Sequence, residues 1–324
     1  GDGVARLPFR VSCPLRPRQA TIEADRTETR RGVVYGLTAY LWWGFAVLYF
    51  WLVRAVPAPE LLAHRIAWLV PLLIVLLGVR GGARTTIGFL RRGENRRILL
   101  LTTVLLSINW FIFIWAATHD RVLEISLGYF INPLVNVLLG FLVLNERLRR
   151  AQWWSVGLAA VAVGFLLVRT GQLPLVSLGV AVTFAFYGLL RKRLSLGGIA
   201  ALSIETGAMW PVAIGYLAWL AADDRLWFLH HGWAADALLL CAGVMIAVPM
   251  VAFGNAVRRV DLSTIGFMQY LAPSIQFLIG IWVFGEAVDA DRLTAFFVIW
   301  IALVIYSTDA WRARQRRLQA PGTG

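Results

Sequence analysis

The sequence predicts an all-α integral membrane protein whose ten transmembrane helices form two inverted five-helix repeats. Three observations predict this fold: long uncharged blocks, arginines that alternate along the chain, and polar residues that recur at one spacing. Of 324 residues, 59% are hydrophobic and 15% are charged, whereas soluble proteins average roughly 25% charged residues. Residues 33–53 carry no charge, and about 20 apolar residues suffice for a helix to cross a bilayer.

Ten such blocks follow one another with short connections, so we expect no separate soluble domain. The predicted spans lie at about 33–53, 60–79, 98–118, 122–144, 151–168, 173–190, 199–221, 235–256, 263–285 and 292–309. The first repeat would cover residues 31–170 and the second residues 171–310. Residues 1–30 are polar and are expected to form a disordered cytoplasmic tail, and residues 311–324 a basic cytoplasmic tail.

The basic residues predict the orientation in the membrane. If the N-terminus is cytoplasmic, most of them fall in inside connections and tails, as cytoplasmic loops require. The outside connections then hold only Arg54, Arg121, Arg169, Arg225 and Arg292. Both termini are therefore predicted to be cytoplasmic. The net charge of +13 comes from short clusters between apolar blocks, so the expected partner is the lipid bilayer and not nucleic acid.

No catalytic or metal-binding motif is present in the sequence. Cys13 lies in the tail and Cys241 in an apolar block, which indicates two unpaired thiols. His230 and His231 lack carboxylates spaced for a metal, and no P-loop is present that would allow direct drive by ATP. We therefore expect no cofactor, no metal and no enzyme activity. The alternatives are a membrane-embedded enzyme acting on lipid-linked substrates, which would need an acidic or histidine cluster at one interface, and a passive channel or scaffold.

A shift of 140 residues relates the two halves of the chain. It carries Pro133, Gly140 and Glu146 onto Pro273, Gly280 and Glu286, Pro71 onto Pro211, and Asn136 onto Gln276. Five spans are an odd number, so the second copy must cross the membrane in the opposite direction. Inverted repeats of this kind are common in secondary transporters, where exchange of roles between the halves gives alternating access.

Polar stripes on the fourth and ninth spans are the first candidate site. The stripes contain Tyr129, Asn132, Pro133 and Asn136, and Gln269, Tyr270, Pro273 and Gln276. The two prolines are expected to break their helices and leave carbonyl groups facing a cavity. In the alternative interpretation, the amides hold neighbouring helices together.

Further candidates are ionisable or aromatic. His64 and Arg65 lie near the outer end of the second span, where His64 could carry a coupled proton; an Arg65–Glu124 pair or snorkelling of Arg65 is the structural alternative. Glu205 lies near the inner end of the seventh span and is expected to meet Lys192 or Arg258. Arg65 and Glu205 would then belong to opposite gates.

Three central residues complete the set of candidates. Asn109 and Trp110 lie at mid-span in the third helix, where an asparagine needs a partner or water, and they are expected to line a substrate cavity. Trp43 is a further pathway candidate, with a place in the aromatic belt at the membrane interface as its alternative.

The stretch from Gly128 to Gly140 resembles the signature of RarD-type proteins, a branch of the EamA family in the drug/metabolite transporter superfamily. Matches in the same order are Ala63-His-Arg65, Asn109-Trp110, Ala185-Phe-Tyr-Gly188 and Ile204-Glu-Thr206, and the resemblance covers about residues 31–310. It implies the ten-helix fold, the bacterial inner membrane, and an exporter of small metabolites or drugs. Proton coupling and a small-molecule substrate are expected with it, and a homodimer is left open.

Overall fold

In the computed structural model, the described residues are 17–79, 86, 88, 93–118, 122–170, 175–194, 196–285 and 290–319. Their regular structure is helical. The helices are α1 Pro17–Leu52, α2 Ala58–Val79, α3 Gly93–Thr118, α4 Val122–Leu144, α5 Arg150–Thr170, α6 Leu175–Arg193, α7 Gly198–Ala222, α8 Trp233–Ala256, α9 Leu262–Gln269, α10 Leu271–Trp282 and α11 Ala290–Gln319.

The all-helical membrane fold is confirmed. Nine segments of the described chain are long and apolar enough to cross a membrane, with α9 and α10 together forming one of them, and α4 adds a tenth apolar helix. Large apolar side chains on the outside of the bundle, such as Phe111, Val168 and Trp154, are exposed. In a bilayer these side chains would face lipid, so their exposure needs no partner protein.

Helix α1 begins inside the segment that the sequence assigned to a disordered tail. That prediction is wrong for residues 17–30, and residues 1–16 lie outside the described part. Proline is favoured in a first helical turn, and the residues that follow include good helix formers. Glu28 also accepts hydrogen bonds from Arg31 at 2.9 Å and from Arg259 at 2.8 Å, which holds this turn on the bundle. Helix α11 likewise continues to Gln319, into the predicted basic tail.

The two central prolines affect their helices differently. At Pro273 the helix is interrupted, because proline has no N–H to donate to the carbonyl group of Gln269, where α9 ends. Pro133 lies inside a continuous α4, so the break predicted there is wrong. Its surroundings support the helix: a Cβ atom added to Gly266 would come within 2.7 Å of the Pro133 carbonyl oxygen. A packed neighbour of this kind allows an internal proline in a membrane helix.

Helix packing relates the two halves of the bundle. The most extensive pairs are α4–α6 and α1–α10, α1–α8 and α3–α6, α2–α8 and α3–α7, together with α2–α7, α4–α9 and α5–α11. Replacing each helix by its counterpart five spans along the chain maps this set onto itself. The pattern supports the repeat that the 140-residue shift indicates.

Two ends of the bundle can be distinguished. The basic end carries the arginine-rich connections that follow α2, α4, α6 and α8, and the opposite end carries the connections that follow α1, α3, α5, α7 and α10. Helix α4 packs along α9, which starts at the basic end, but barely touches α10, which leads to the opposite end. The two halves are therefore close together at the basic end and separate towards the opposite end.

The close packing of α2 on α8 yields a stability prediction. A Cβ atom at Gly243 would lie 2.6 Å from the carbonyl carbon of Trp68 and 2.8 Å from the backbone nitrogen of Leu69. Backbone atoms cannot move aside cheaply, so we expect Gly243→Ala to lower the unfolding free energy by about 1–3 kcal/mol. Thermal unfolding of the purified protein in detergent measures this. Gly207→Ala is the matched control, since nothing lies within 4 Å of its added Cβ atom; equal midpoints for the two variants would contradict the prediction.

Candidate functional site

An amide network joins three helices at the centre of the bundle. Asn136 donates to Asn132 Oδ1 and to Gln269 Oε1, both at 2.9 Å, and Asn132 donates to the Ala181 carbonyl at 2.6 Å. All three amide side chains are buried. They connect α4 to α6 and to α9. The structure thus brings the two predicted stripes together, in the hydrogen-bonding role that the sequence left as the alternative.

The remaining stripe residues reveal an asymmetry. The Tyr270 hydroxyl donates to the Phe130 carbonyl at 3.2 Å, and these two residues are 140 positions apart. Under the same shift, the Asn136–Gln269 contact has its counterpart between Gln276 and Tyr129. Gln276 instead donates to the Trp43 carbonyl at 3.0 Å, and Tyr129 is 39% exposed. The link at the basic end therefore has no described counterpart at the opposite end.

Arg65 and Tyr129 lie on this separated side. Both are deep within the protein, and their charge and hydroxyl group interact, yet both keep accessible surface. The Arg65 guanidinium lies 5.6 Å from the centre of the Phe50 ring. The side chain of Glu124, a predicted partner of Arg65, lies outside the described part. Accessible side chains deep in a bundle indicate a cavity between α2 and α4.

Aromatic side chains fill the bundle between this cavity and the basic end. The Trp43 ring lies 5.4 Å from Tyr40 and 6.0 Å from both Phe184 and Phe253, and Tyr187 stacks on Phe253 at 6.1 Å. Trp43 is thus an interior residue and does not belong to the interface belt. These rings separate the accessible region from the basic end.

The two candidates on α3 differ in their surroundings. The Asn109 amide donates to the Val180 carbonyl and to Thr183 Oγ1, both at 2.9 Å, and so holds α3 to α6. Its donor is occupied within the protein, which favours a packing role over the predicted cavity lining. Trp110 is partly buried against the central core.

A fully buried ion pair lies beyond the aromatic rings. Glu205 accepts a hydrogen bond from the Tyr187 hydroxyl at 3.0 Å, and its other oxygen lies 4.0 Å from Arg191 Nη1. All three side chains have no accessible surface. The predicted partners of Glu205, Lys192 and Arg258, are wrong. Arg191 follows Tyr187 by four residues and shares its face of α6, whereas Lys192 is turned away by one residue.

Sequence reasoning missed Arg191 because it counted this residue among the arginines of a loop. The signal that would have found it is its spacing of four residues from Tyr187, inside the segment that resembles the family signature. Positive charge is concentrated here: burial, then Arg259, then Arg191 lower the pKa of Arg258, which lies in the connection after α8. A buried carboxylate at position 205 offsets part of this charge.

Glu146 fastens α4 to α9 at the basic end. It accepts hydrogen bonds from the backbone N–H groups of Leu262 at 2.7 Å and Ser263 at 3.0 Å, and from the Ser263 hydroxyl at 2.6 Å. Carboxylates are stabilised at helix N-termini by these free N–H groups. Lys192 lies 3.8 Å from the same carboxylate and donates to the Val260 carbonyl. The sequence singled out Glu146 only as a marker of the repeat.

His64 is part of a buried contact with a connection. Trp68 donates to its Nδ1 at 3.2 Å, and its Nε2 lies 3.6 Å from Glu60 Oε1. Glu60 also accepts from the backbone N–H groups of Trp227 at 2.7 Å and Phe228 at 3.4 Å. These contacts hold α2 to the connection after α7 and give His64 a structural role. Glu60 was missed, although an acidic residue in the first turn of an apolar span is a visible signal.

The site has no features of a metal centre within the described residues, where no group of three or more His, Cys, Asp and Glu side chains is placed to hold an ion. The polar groups instead form three layers along one axis. Arg65 and Tyr129 are accessible, the amide network is buried at the centre, and Arg191 and Glu205 are sealed near the basic end. Such layers can bind a solute from one side at a time.

Comparison with known proteins places this arrangement in a family. Residues 30–168 match the model of the EamA-like transporter family. An uncharacterised transporter of Vibrio cholerae is 43% identical over 89% of this chain and 96% of its own length. Protein RarD of Streptomyces exfoliatus is 42% identical over 90% of this chain and 94% of its own length.

More distant similarities extend over the same length. The chloramphenicol-sensitive protein RarD of Pseudomonas aeruginosa is 28% identical over 90% of this chain and 97% of its own. A solved crystal structure superimposes with a TM-score of 0.65 at 19% identity, covering 85% of this chain and 96% of that one, and so shows the fold. The chain belongs to the EamA-like transporter family, among its RarD proteins.

Proposed function

We propose that this protein is a secondary transporter that exports small metabolites or drugs across the bacterial inner membrane by alternating access between two inverted repeats. One observation carries the proposal: α4 and α9 are fastened together at the basic end, while Arg65 and Tyr129 remain accessible towards the opposite end. This is the geometry of a state that is closed on one side and open on the other. With both termini cytoplasmic, the basic end faces the cytoplasm and the cavity faces outward.

The repeat specifies the alternate state. The shift of 140 residues carries Glu146 onto Glu286, and the start of α9 at Leu262 and Ser263 onto Val122 and Leu123. When the opposite end closes, Glu286 would bind the N–H groups at the start of α4, as Glu146 now binds those of α9. Release of Glu146 would open the basic end and admit substrate from the cytoplasm.

A proton is the proposed coupling ion, acting at Glu205. This carboxylate is sealed with Arg191 and Tyr187 at the closed end, where an isolated charge in the membrane would be costly. Protonation of Glu205 removes its attraction for Arg191 and thereby weakens closure of the basic end. Deprotonation restores the pair. The proton gradient could bias the two states in this way.

We expect purified protein in proteoliposomes to show saturable flux that a pH gradient stimulates. The screen would use labelled amino acids, cationic drugs and chloramphenicol, the last because a relative bears its name. Glu205→Gln keeps the shape of the side chain but cannot lose a proton, so we expect gradient stimulation to fall at least about tenfold, within the usual range of coupling energies.

Asp223→Asn is the matched control, because it makes the same chemical change at an exposed site at the opposite end. This variant should retain the stimulation. Wild-type stimulation that persists in Glu205→Gln would sink the role of Glu205. The absence of flux for every compound, in a folded preparation, would count against transport and favour the enzyme alternative.

Cysteine labelling tests alternating access itself. In a background without Cys13 and Cys241, we expect Tyr129→Cys to react with a membrane-impermeant maleimide from the outside, and Leu189→Cys, 4% exposed in α6, to be protected. A transported substrate that shifts the protein to the alternate state should reverse this order. Labelling of Tyr129→Cys equally from both sides would indicate an open channel instead.

A further inference from the structure

We propose that Arg65 is the receptor for a carboxylate group, and that the cavity at the opposite end takes small organic monocarboxylates with an apolar or aromatic body. The inference rests on the proposed transport function, since it names the substrate class of the same pathway. It concerns the layer of Arg65 and Tyr129 and leaves the ion pair of Arg191 unchanged.

The first argument is charge compensation inside the bundle. Cations within membrane proteins are costly and are normally paired or face water. Three others here are paired with a carboxylate: Arg191 with Glu205 at 4.0 Å, Lys192 with Glu146 at 3.8 Å, and Arg259 with Glu28 at 2.8 Å.

Arg65 differs from these three cations. No carboxylate of the described residues lies within 4 Å of it, and the contact given by the structure is with the face of Phe50. Its guanidinium is thus a deep cation whose counter-charge must come from outside the described protein. A planar guanidinium matches a carboxylate with two parallel hydrogen bonds.

The second argument is the chemistry around Arg65. The Tyr49 and Tyr129 side chains lie within electrostatic range of the guanidinium, and the Phe50 ring lies 5.6 Å away. Tyr49 is fixed, because its hydroxyl donates to the Leu238 carbonyl at 3.0 Å. Tyr129 is accessible and can donate a further hydrogen bond to an anion. One cation, one hydroxyl donor and aromatic walls suit a carboxylate attached to an apolar group.

The third argument is position. Arg65 lies on the separated side of the α4 crossing, where a solute can reach it, whereas Arg191 has no accessible surface. A lipid phosphate could supply the same negative charge. Arg65 points into the protein interior between helices, however, and the neighbouring accessible group is a tyrosine within the bundle. These features favour a small solute over a lipid headgroup.

The test is equilibrium binding to purified full-length protein in detergent, with 3-phenylpropionate and its amide as probes. The two compounds have the same shape and differ in charge. We expect the wild-type protein to bind the carboxylate at least about tenfold more tightly than the amide, the scale of a bidentate charge-assisted hydrogen bond. Arg65→Gln should bind both compounds equally, and Arg65→Lys should keep part of the preference.

Arg54→Gln is the matched control, because it removes the same charge from an exposed arginine at the same end and should keep the full preference. Unfolding curves establish that each variant is folded, and Arg65→Lys keeps the test informative if Arg65→Gln is not. Equal wild-type binding of the two probes, no binding of either, or a preference that survives Arg65→Gln would each overturn the inference. Vesicles of phosphatidylglycerol that displace the carboxylate, where phosphatidylcholine vesicles do not, would assign the site to lipid.

Flux measurements separate this inference from the transport proposal. Arg65-dependent carboxylate binding without flux of any compound would support the anion site and contradict transport. Flux of cationic or neutral compounds that Arg65→Gln leaves unchanged, together with no carboxylate preference, would support transport and contradict the anion site. Carboxylate flux lost in Arg65→Gln and retained in Arg54→Gln would support both.

Discussion

The contact between α4 and α9 at the basic end is the interaction on which the rest of this structure depends. Within a bilayer, polar groups must be satisfied by the protein, because lipid offers no hydrogen bonds. Asn136 meets this need with Asn132 and Gln269, and Glu146 meets it with the start of α9. Both contacts require close approach, which the missing side chain of Gly266 allows. Where the crossing is tight, the pathway is sealed; where α4 leaves α10, Arg65 and Tyr129 become accessible.

Charge compensation explains how the ionisable residues divide between structure and function. Glu60, Glu146 and Glu205 each bind donors within the protein, so their charges also act as fasteners. Fasteners of this kind can be released by a proton or replaced by a competing group, which makes a closed end reversible. A wholly apolar seal would lack this property. The same reasoning makes Arg65 unusual, since the described residues provide no carboxylate for it.

The sequence predicted the membrane fold well, because helix number, direction and repeat depend on hydropathy and spacing, which are local properties. It also placed Asn132, Asn136 and Gln269 on faces that meet. Contact partners were harder to predict, because they depend on the rotation of each helix. A difference of one residue decides between Arg191 and Lys192 as the partner of Glu205. The effect of Pro133 likewise depended on a neighbour, Gly266, that lies far away in sequence.

The imperfect repeat also gives the two closures unequal strength. At the basic end, the Ser263 hydroxyl adds a hydrogen bond to Glu146, and Lys192 lies beside the same carboxylate. The shift of 140 residues carries these two positions onto Leu123 and Leu52, which can donate neither a side-chain hydrogen bond nor a positive charge. A hydrogen bond to a charged group contributes about 1.5–3 kcal/mol, enough to favour one state at least about tenfold. The resting protein should therefore be closed at the basic end, with its cavity facing the other side.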